Sequence, residues 1–147
     1  MKKFFCTFTH TLLVAVIVAI AGCGSLSSNK NIEHGLSVEN VGTSLISNVS
    51  LRYGTVTREF CKQGCAYKGG SFYGVYMPIQ NEMFVTWKTA DGSEHKADVS
   101  VKEKLVAPNR LKSLMLYFNQ DHLTVLQALE QEQRGAVGFE KYPLYQN

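Results

Sequence analysis

The stretch from Met83 to Val101 limits the fold more than any other part of the chain. Two alternating runs flank Ala90-Asp91-Gly92, the pattern of an antiparallel hairpin with one buried face. Two registers compete. A two-residue Asp-Gly turn would set Trp87 opposite Lys96 and Val85 opposite Asp98, mixing apolar and charged groups on both faces. A three-residue loop, with Gly92 left-handed in a bulge, sets Trp87 opposite His95, Val85 opposite Ala97 and Met83 opposite Val99. The other face then pairs Lys88 with Glu94, Thr86 with Lys96 and Phe84 with Asp98. A slip of one residue exchanges the two faces, so register follows the face that can be buried, and the three-residue loop is predicted. Lys88, Glu94 and Lys96 then lie on the solvent face near the hairpin tip and are candidate partner-binding residues. His95, beside Trp87, reads as a packing or rim residue.

The same period recurs elsewhere. Val49, Leu51 and Tyr53 alternate with polar residues, and so do Val56, Arg58 and Phe60. They form one strand bent at Gly54 or two short ones. Ser71 to Met77 is an aromatic strand stopped by Pro78. Ser113 to Phe118 is apolar throughout, as in a strand buried on both faces. Leu123 to Leu129 fits a strand pairing with it, although Gln127 to Arg134 also has good helix propensity. Gly135 to Asn147 reads as an extended tail laid on the domain. These runs predict a mainly β domain, a small antiparallel sandwich or open barrel of about six to seven strands.

The N-terminus is of another kind. Lys2 and Lys3 precede an unbroken apolar run from Leu12 to Ala21, which ends at Gly22 and Cys23. A charged start, an apolar middle and small residues before a cut mark a secretory signal. Ten residues rise only about 15 Å as a helix, roughly half a bilayer core. The last four residues, Ile20-Ala21-Gly22-Cys23, resemble the lipobox of bacterial lipoproteins. The resemblance implies cleavage between Gly22 and Cys23, a diacylated Cys23 sulfur and an acylated new amine. Two or three acyl chains meet the requirement for stable anchoring in membrane lipid. Gly24 after the cysteine resembles lipoproteins sorted to the outer membrane, so palmitate-type acylation at the periplasmic face of that membrane is expected. Residues 24–42 are rich in Ser, Asn and Gly and read as a flexible tether reaching about 25 Å. His34, within it, reads as solvated. The expected organisation is therefore signal peptide 1–22, lipidated cysteine and tether 23–42, and a single β-rich domain 43–147.

Removing the 22-residue signal leaves 125 of 147 residues, enough for one modest core. Lys2 and Lys3 leave with it, so 15 Lys and Arg fall to 13 against 12 Asp and Glu, a net +1. That balance argues against a nucleic-acid partner. Cys6 is discarded and Cys23 is acylated, leaving Cys61 and Cys65 in an oxidising compartment. Two cysteines fall short of the four ligands of a structural zinc site, and the spacing is one residue longer than the usual redox pair. Free thiols are the remaining alternative to the disulfide that the compartment favours.

Catalytic signatures are missing. There is no G-x-S-x-G, no H-E-x-x-H and no phosphate-cradling glycine loop, and neither metal nor cofactor is expected. Seven tyrosines exceed what a small core needs. They are half-buried strand residues or a binding surface, where tyrosine brings large area at low entropic cost. The segment Met77-Pro78, Met83 to His95 and Val99 resembles small β-rich lipoproteins encoded beside type VI secretion toxins, which act as periplasmic immunity proteins. It implies a toxin, such as a secreted lipase, as protein partner. The expectation is thus a non-enzymatic lipoprotein that works by protein binding, with an envelope-assembly or surface role as the alternative.

Overall fold

The computed structural model describes residues 30–131 and 138–147. Nine strands among them form two sheets packed as a sandwich, not a closed barrel. In chain order these are β1 (Ile32–Asn40), β2 (Ile46–Tyr53), β3 (Val56–Phe60), β4 (Gly70–Met77), β5 (Glu82–Thr89), β6 (Glu94–Ser100), β7 (Leu111–Asn119), β8 (His122–Glu130) and β9 (Phe139–Gln146). The five-stranded sheet runs β4-β1-β7-β8-β9 and the four-stranded sheet β3-β2-β5-β6. All pairs are antiparallel except β1 with β7.

Inward residues of both sheets interdigitate in one core. Leu36, Leu51, Met83, Val85, Val99, Leu114, Leu116, Phe118 and Leu123 are wholly buried. Trp87 bridges the layers, with its ring edge-on to Phe118 at 5.2 Å and its indole N–H donating to the Gln120 carbonyl at 2.9 Å. Along the β3–β4 side, the Arg58 guanidinium lies 4.3 Å over the Tyr73 ring and donates to its hydroxyl.

The hairpin has the predicted register. Trp87 pairs with His95, Val85 with Ala97 and Met83 with Val99, and Gly92 sits at φ 85 in the three-residue loop. Between β2 and β3 the two-residue turn starts at Gly54 with φ 60, so the two short strands are distinct. Residues 122–130 are strand and pair with β7. A helical turn beyond them falls mainly on residues 132–137, outside the described residues.

Three expectations are corrected. Residues 32–40 are not tether but β1, a strand flanked on both sides. Its inward positions are Ile32, His34, Leu36, Val38 and Asn40. The alternation is strict, but polar His34 and Asn40 occupy two of the five inward places, so the apolar period was hidden. The sandwich therefore begins at β1 rather than at residue 43, and His34 is 3% exposed rather than solvated. The C-terminal tail is also more than an extended coat, because β9 hydrogen-bonds to β8. Finally, β7 is buried on one face only. Leu114, Leu116 and Phe118 are inside, while Met115 and Tyr117 on the reverse are only half-buried. Gly22, Cys23 and the expected signal peptide lie outside the described residues.

The three buried polar side chains have distinct roles. Asn40 donates to the Ser44 and Cys65 carbonyls at 2.8 and 2.7 Å and accepts the Gly42 N–H at 3.0 Å, tying the end of β1 to two loops. Gln127 accepts the Val106 N–H and donates to the Lys104 carbonyl, fixing the connector between β6 and β7. His34 donates from Nδ1 to the Ile32 carbonyl at 2.9 Å, and its Nε2 has no partner.

Candidate functional site

The direction of β1 orders the molecule. Its start, Ile32, lies beside Met77 at what we term the lower end, and its finish, Asn40, beside Phe118 at the upper end. Nine residues at about 3.3 Å per step put some 26 Å between them. Ser44, the Cys61–Cys65 loop, the β5–β6 loop and the β7–β8 turn all gather at the upper end. Asn40 bonds both Ser44 and Cys65, and Trp87 reaches Gln120.

Four non-glycine residues of the described chain have left-handed backbones: Asn48, Cys61, Lys68 and Gln120, with φ from 48 to 60. All four are at this end. The Asn48 N–H donates to the Cys61 carbonyl, the Lys68 N–H to Asn40 and the Trp87 indole to Gln120. Such conformations are unfavourable and concentrate where the surroundings hold a loop in one shape for function. Cys61 and Cys65 are joined, as the oxidising-compartment argument favoured. The short ring is paired through Cys65 to Ile46 in both directions.

Two depressions open here. One, about 400 Å³, is lined by Ser44, Thr89, Asp91, Ser93, His95 and Gln120, with Asp121 and Ala90 completing its rim. The second, about 350 Å³, is lined by Asn48, Thr86, Trp87, Lys88, Glu94, His95 and Lys96. His95 is common to both, stacked on Trp87 at 5.4 Å. The three hairpin residues singled out from the sequence, Lys88, Glu94 and Lys96, therefore share one concavity. Lys88 pairs with Glu94 at 2.8 Å and holds its carboxyl below the usual range.

The first depression brings a hydroxyl, a carboxylate and an imidazole together. The Thr89 hydroxyl is 2.6 Å from Asp91 Oδ1 and 3.3 Å from His95 Nε2. A carboxylate only accepts, so the hydroxyl donates to Asp91, with the Ser93 carbonyl a second acceptor at 3.3 Å, and the role of His95 Nε2 follows the ring tautomer. The Ser93 N–H and hydroxyl also donate to Asp91. Together, Thr89 first, they hold the Asp91 carboxyl down at about 2. The cluster is a hairpin-tip hydrogen-bond net. No group of three or more potential metal ligands occurs among the described residues.

Of the tyrosines, Tyr53 is core, with its hydroxyl accepting the Gln80 N–H. Tyr67 and Tyr76 are well exposed, and the others are intermediate or edge residues. Exposed Val41, Leu45 and Tyr67 add apolar area at the upper end. Asn40 and Gln120 were not signalled by sequence. Each is a polar residue in a polar stretch, and its importance comes only from the contacts it makes.

No protein-family model and no curated protein matches the chain. Among solved structures, the NMR structure of a protein from Eubacterium rectale is similar, at 9% identity over 82% of this chain and 94% of that one, with a TM-score of 0.40. At that score the likeness bears no argument about function.

Proposed function

We propose that this protein is a lipid-anchored periplasmic lipoprotein that acts by binding protein, as an immunity protein that occludes a secreted toxin. The observation that carries the reading is the opposition of the two ends. A tether from an acylated Cys23 would meet β1 at the lower end. The upper end, with its four left-handed residues and both depressions, would then be held away from the lipid. A rigid concave surface presented outward suits capture of a macromolecule. The mutual engagement of Thr89, Asp91, Ser93 and His95 supports recognition over turnover.

The test is contact competition in the source bacterium. A strain lacking the gene, grown on a solid surface with its parent, is expected to lose survival. The wild-type gene restores it, and the Cys23→Ser form restores it less or not at all. Equal survival of deleted and parental strains under conditions that activate secretion overturns the immunity reading.

A further inference from the structure

The two outer faces of the sandwich differ in kind. The four-stranded sheet turns Arg52, Thr57, Thr86, Lys88, Lys96 and Asp98 outward, with one aromatic among them, Phe84, covered by the Arg52 guanidinium at 5.3 Å. The five-stranded sheet is different. Its register aligns Phe72 on β4, Ser37 on β1, Met115 on β7, Leu126 on β8 and Pro143 on β9 in one row across all five strands. Phe72 is 69% exposed and Tyr76, two pleat repeats further along β4 on the same face, is 72% exposed. The row beside it is small: Gly74, Gly35, Ser113 and Ala128. The Phe72 ring lies flat across Gly35, where a Cβ would stand 2.2 Å from it. An apolar platform on a shallow floor is thus built into the sheet, and it includes the half-buried outer side of β7 at Met115.

Charge on this face selects the occupant. Glu33 and Glu39, both on β1, flank the apolar row on its two sides. Neither has an ion pair among the described residues. Lys112 is taken up by Glu130 at 3.1 Å, and Lys141 lies at the Tyr117 hydroxyl, 3.4 Å away. Two unpaired carboxylates disfavour an anionic lipid surface. A second copy would bring the same acids to the contact.

We propose that the outer face of the five-stranded sheet is a docking surface for an amphipathic basic protein segment, one whose apolar stripe lies on the Phe72–Met115–Leu126 row while Lys or Arg on either flank meets Glu33 and Glu39. Four strand spacings of about 4.8 Å give a platform about 19 Å long, the length of a helix of roughly 13 residues at about 1.5 Å per residue. The proposal rests on the reading that the protein works by binding protein, but on neither acylation nor toxin immunity.

The experiment titrates the full-length protein with a 14-residue peptide of Leu and Lys at amphipathic helical spacing. The controls are the Leu and Glu counterpart and a non-amphipathic scramble of the Leu and Lys peptide. Amide shift changes are expected for Phe72, Met115, Leu126 and their row with the basic amphipathic peptide alone. Phe72→Ser should weaken binding about tenfold or more, as loss of an aromatic anchor does. Glu33→Gln with Glu39→Gln should weaken it and flatten its salt dependence. No binding, equal binding of the acidic control, or shifts confined to the upper end overturns the proposal. So does a concentration-dependent dimer, or binding to phosphatidylglycerol vesicles, that Phe72→Ser abolishes. Contact competition and peptide binding fail separately. Loss of the first alone removes immunity, and loss of the second alone removes this surface.

Discussion

At the scale of the residue, His34 is the least ordinary position in the core. Burial pushes its pKa below the usual 6.5, and the hydrogen bond to the Ile32 carbonyl offsets this only in part. Its other neighbour with a titratable group is Tyr53, whose ring it meets edge-on at 5.6 Å and whose hydroxyl burial pushes up, away from the same pH range. The unfolded chain binds a proton at His34 once pH falls through about 6.5, while the folded protein resists it. The unfolded state then holds more protons, so stability falls as pH drops below about 6.5 and levels off only below the folded pKa. The reason is local: protonation would create an Nε2–H donor with nothing to receive it. We expect the melting temperature of the wild type to fall between pH 7 and pH 5 more steeply than that of His34→Phe, which cannot titrate. Parallel slopes in thermal melts would show that His34 does not carry this dependence. Asp91, held at about 2 on the surface, acts in a different window, losing its contribution only in strong acid.

At the scale of the element, the β5–β6 hairpin is where register can be tested directly. Val85 is wholly buried and pairs with Ala97, whereas Thr86 pairs with Lys96 on the reverse face. Val85→Asp buries a carboxylate without a partner and should cost roughly 3 kcal/mol or more, or unfold the protein. Thr86→Asp gains a lysine across the strand and should stay within about 0.5 kcal/mol of the wild type. The paired melting curves check this, and equal losses would contradict the register. The Lys88–Glu94 pair on the same face is largely exposed and adds little to stability, so its value is positional. It shapes one wall of the second depression.

At the scale of the whole molecule, the arrangement of ends and faces matters more than any one contact. The parallel pairing of β1 with β7 brings the Pro108–Arg110 turn level with the start of β1, at the lower end. It also sends both strands upward to the loops that carry the depressions. The proposed anchoring at the lower end makes a specific prediction about cells. Labelled palmitate should be incorporated by the wild type and not by Cys23→Ser, because serine lacks the acyl-accepting thiol. On the proposed anchoring, Cys23→Ser should partition away from the membrane fraction while keeping its melting temperature, since position 23 precedes every strand among the described residues. Label on the serine variant would contradict the acylation.

Local pattern was enough, from the amino-acid sequence alone, for most of the elements. Six of the strands, the hairpin register and the turn at Gly92 follow from period-two alternation, which dictates which face is buried without reference to the rest of the chain, and β7 follows from its apolar run. Cys61 and Cys65 are joined at a sequence separation of 4, close enough for the pairing to lie within the reach of local reading. What lay beyond that reach depended on partners distant in sequence. β1 looks like a tether until β4 and β7 flank it, because His34 and Asn40 sit where apolar residues would announce a strand. The clustering of Asn48, Cys61, Lys68 and Gln120 at one end, and the alignment of Phe72, Met115, Leu126 and Pro143 into one row, exist only once strand order is set. Strand order is a property of long-range pairing, and the energies that select it are summed over both layers of the core rather than written in any one segment.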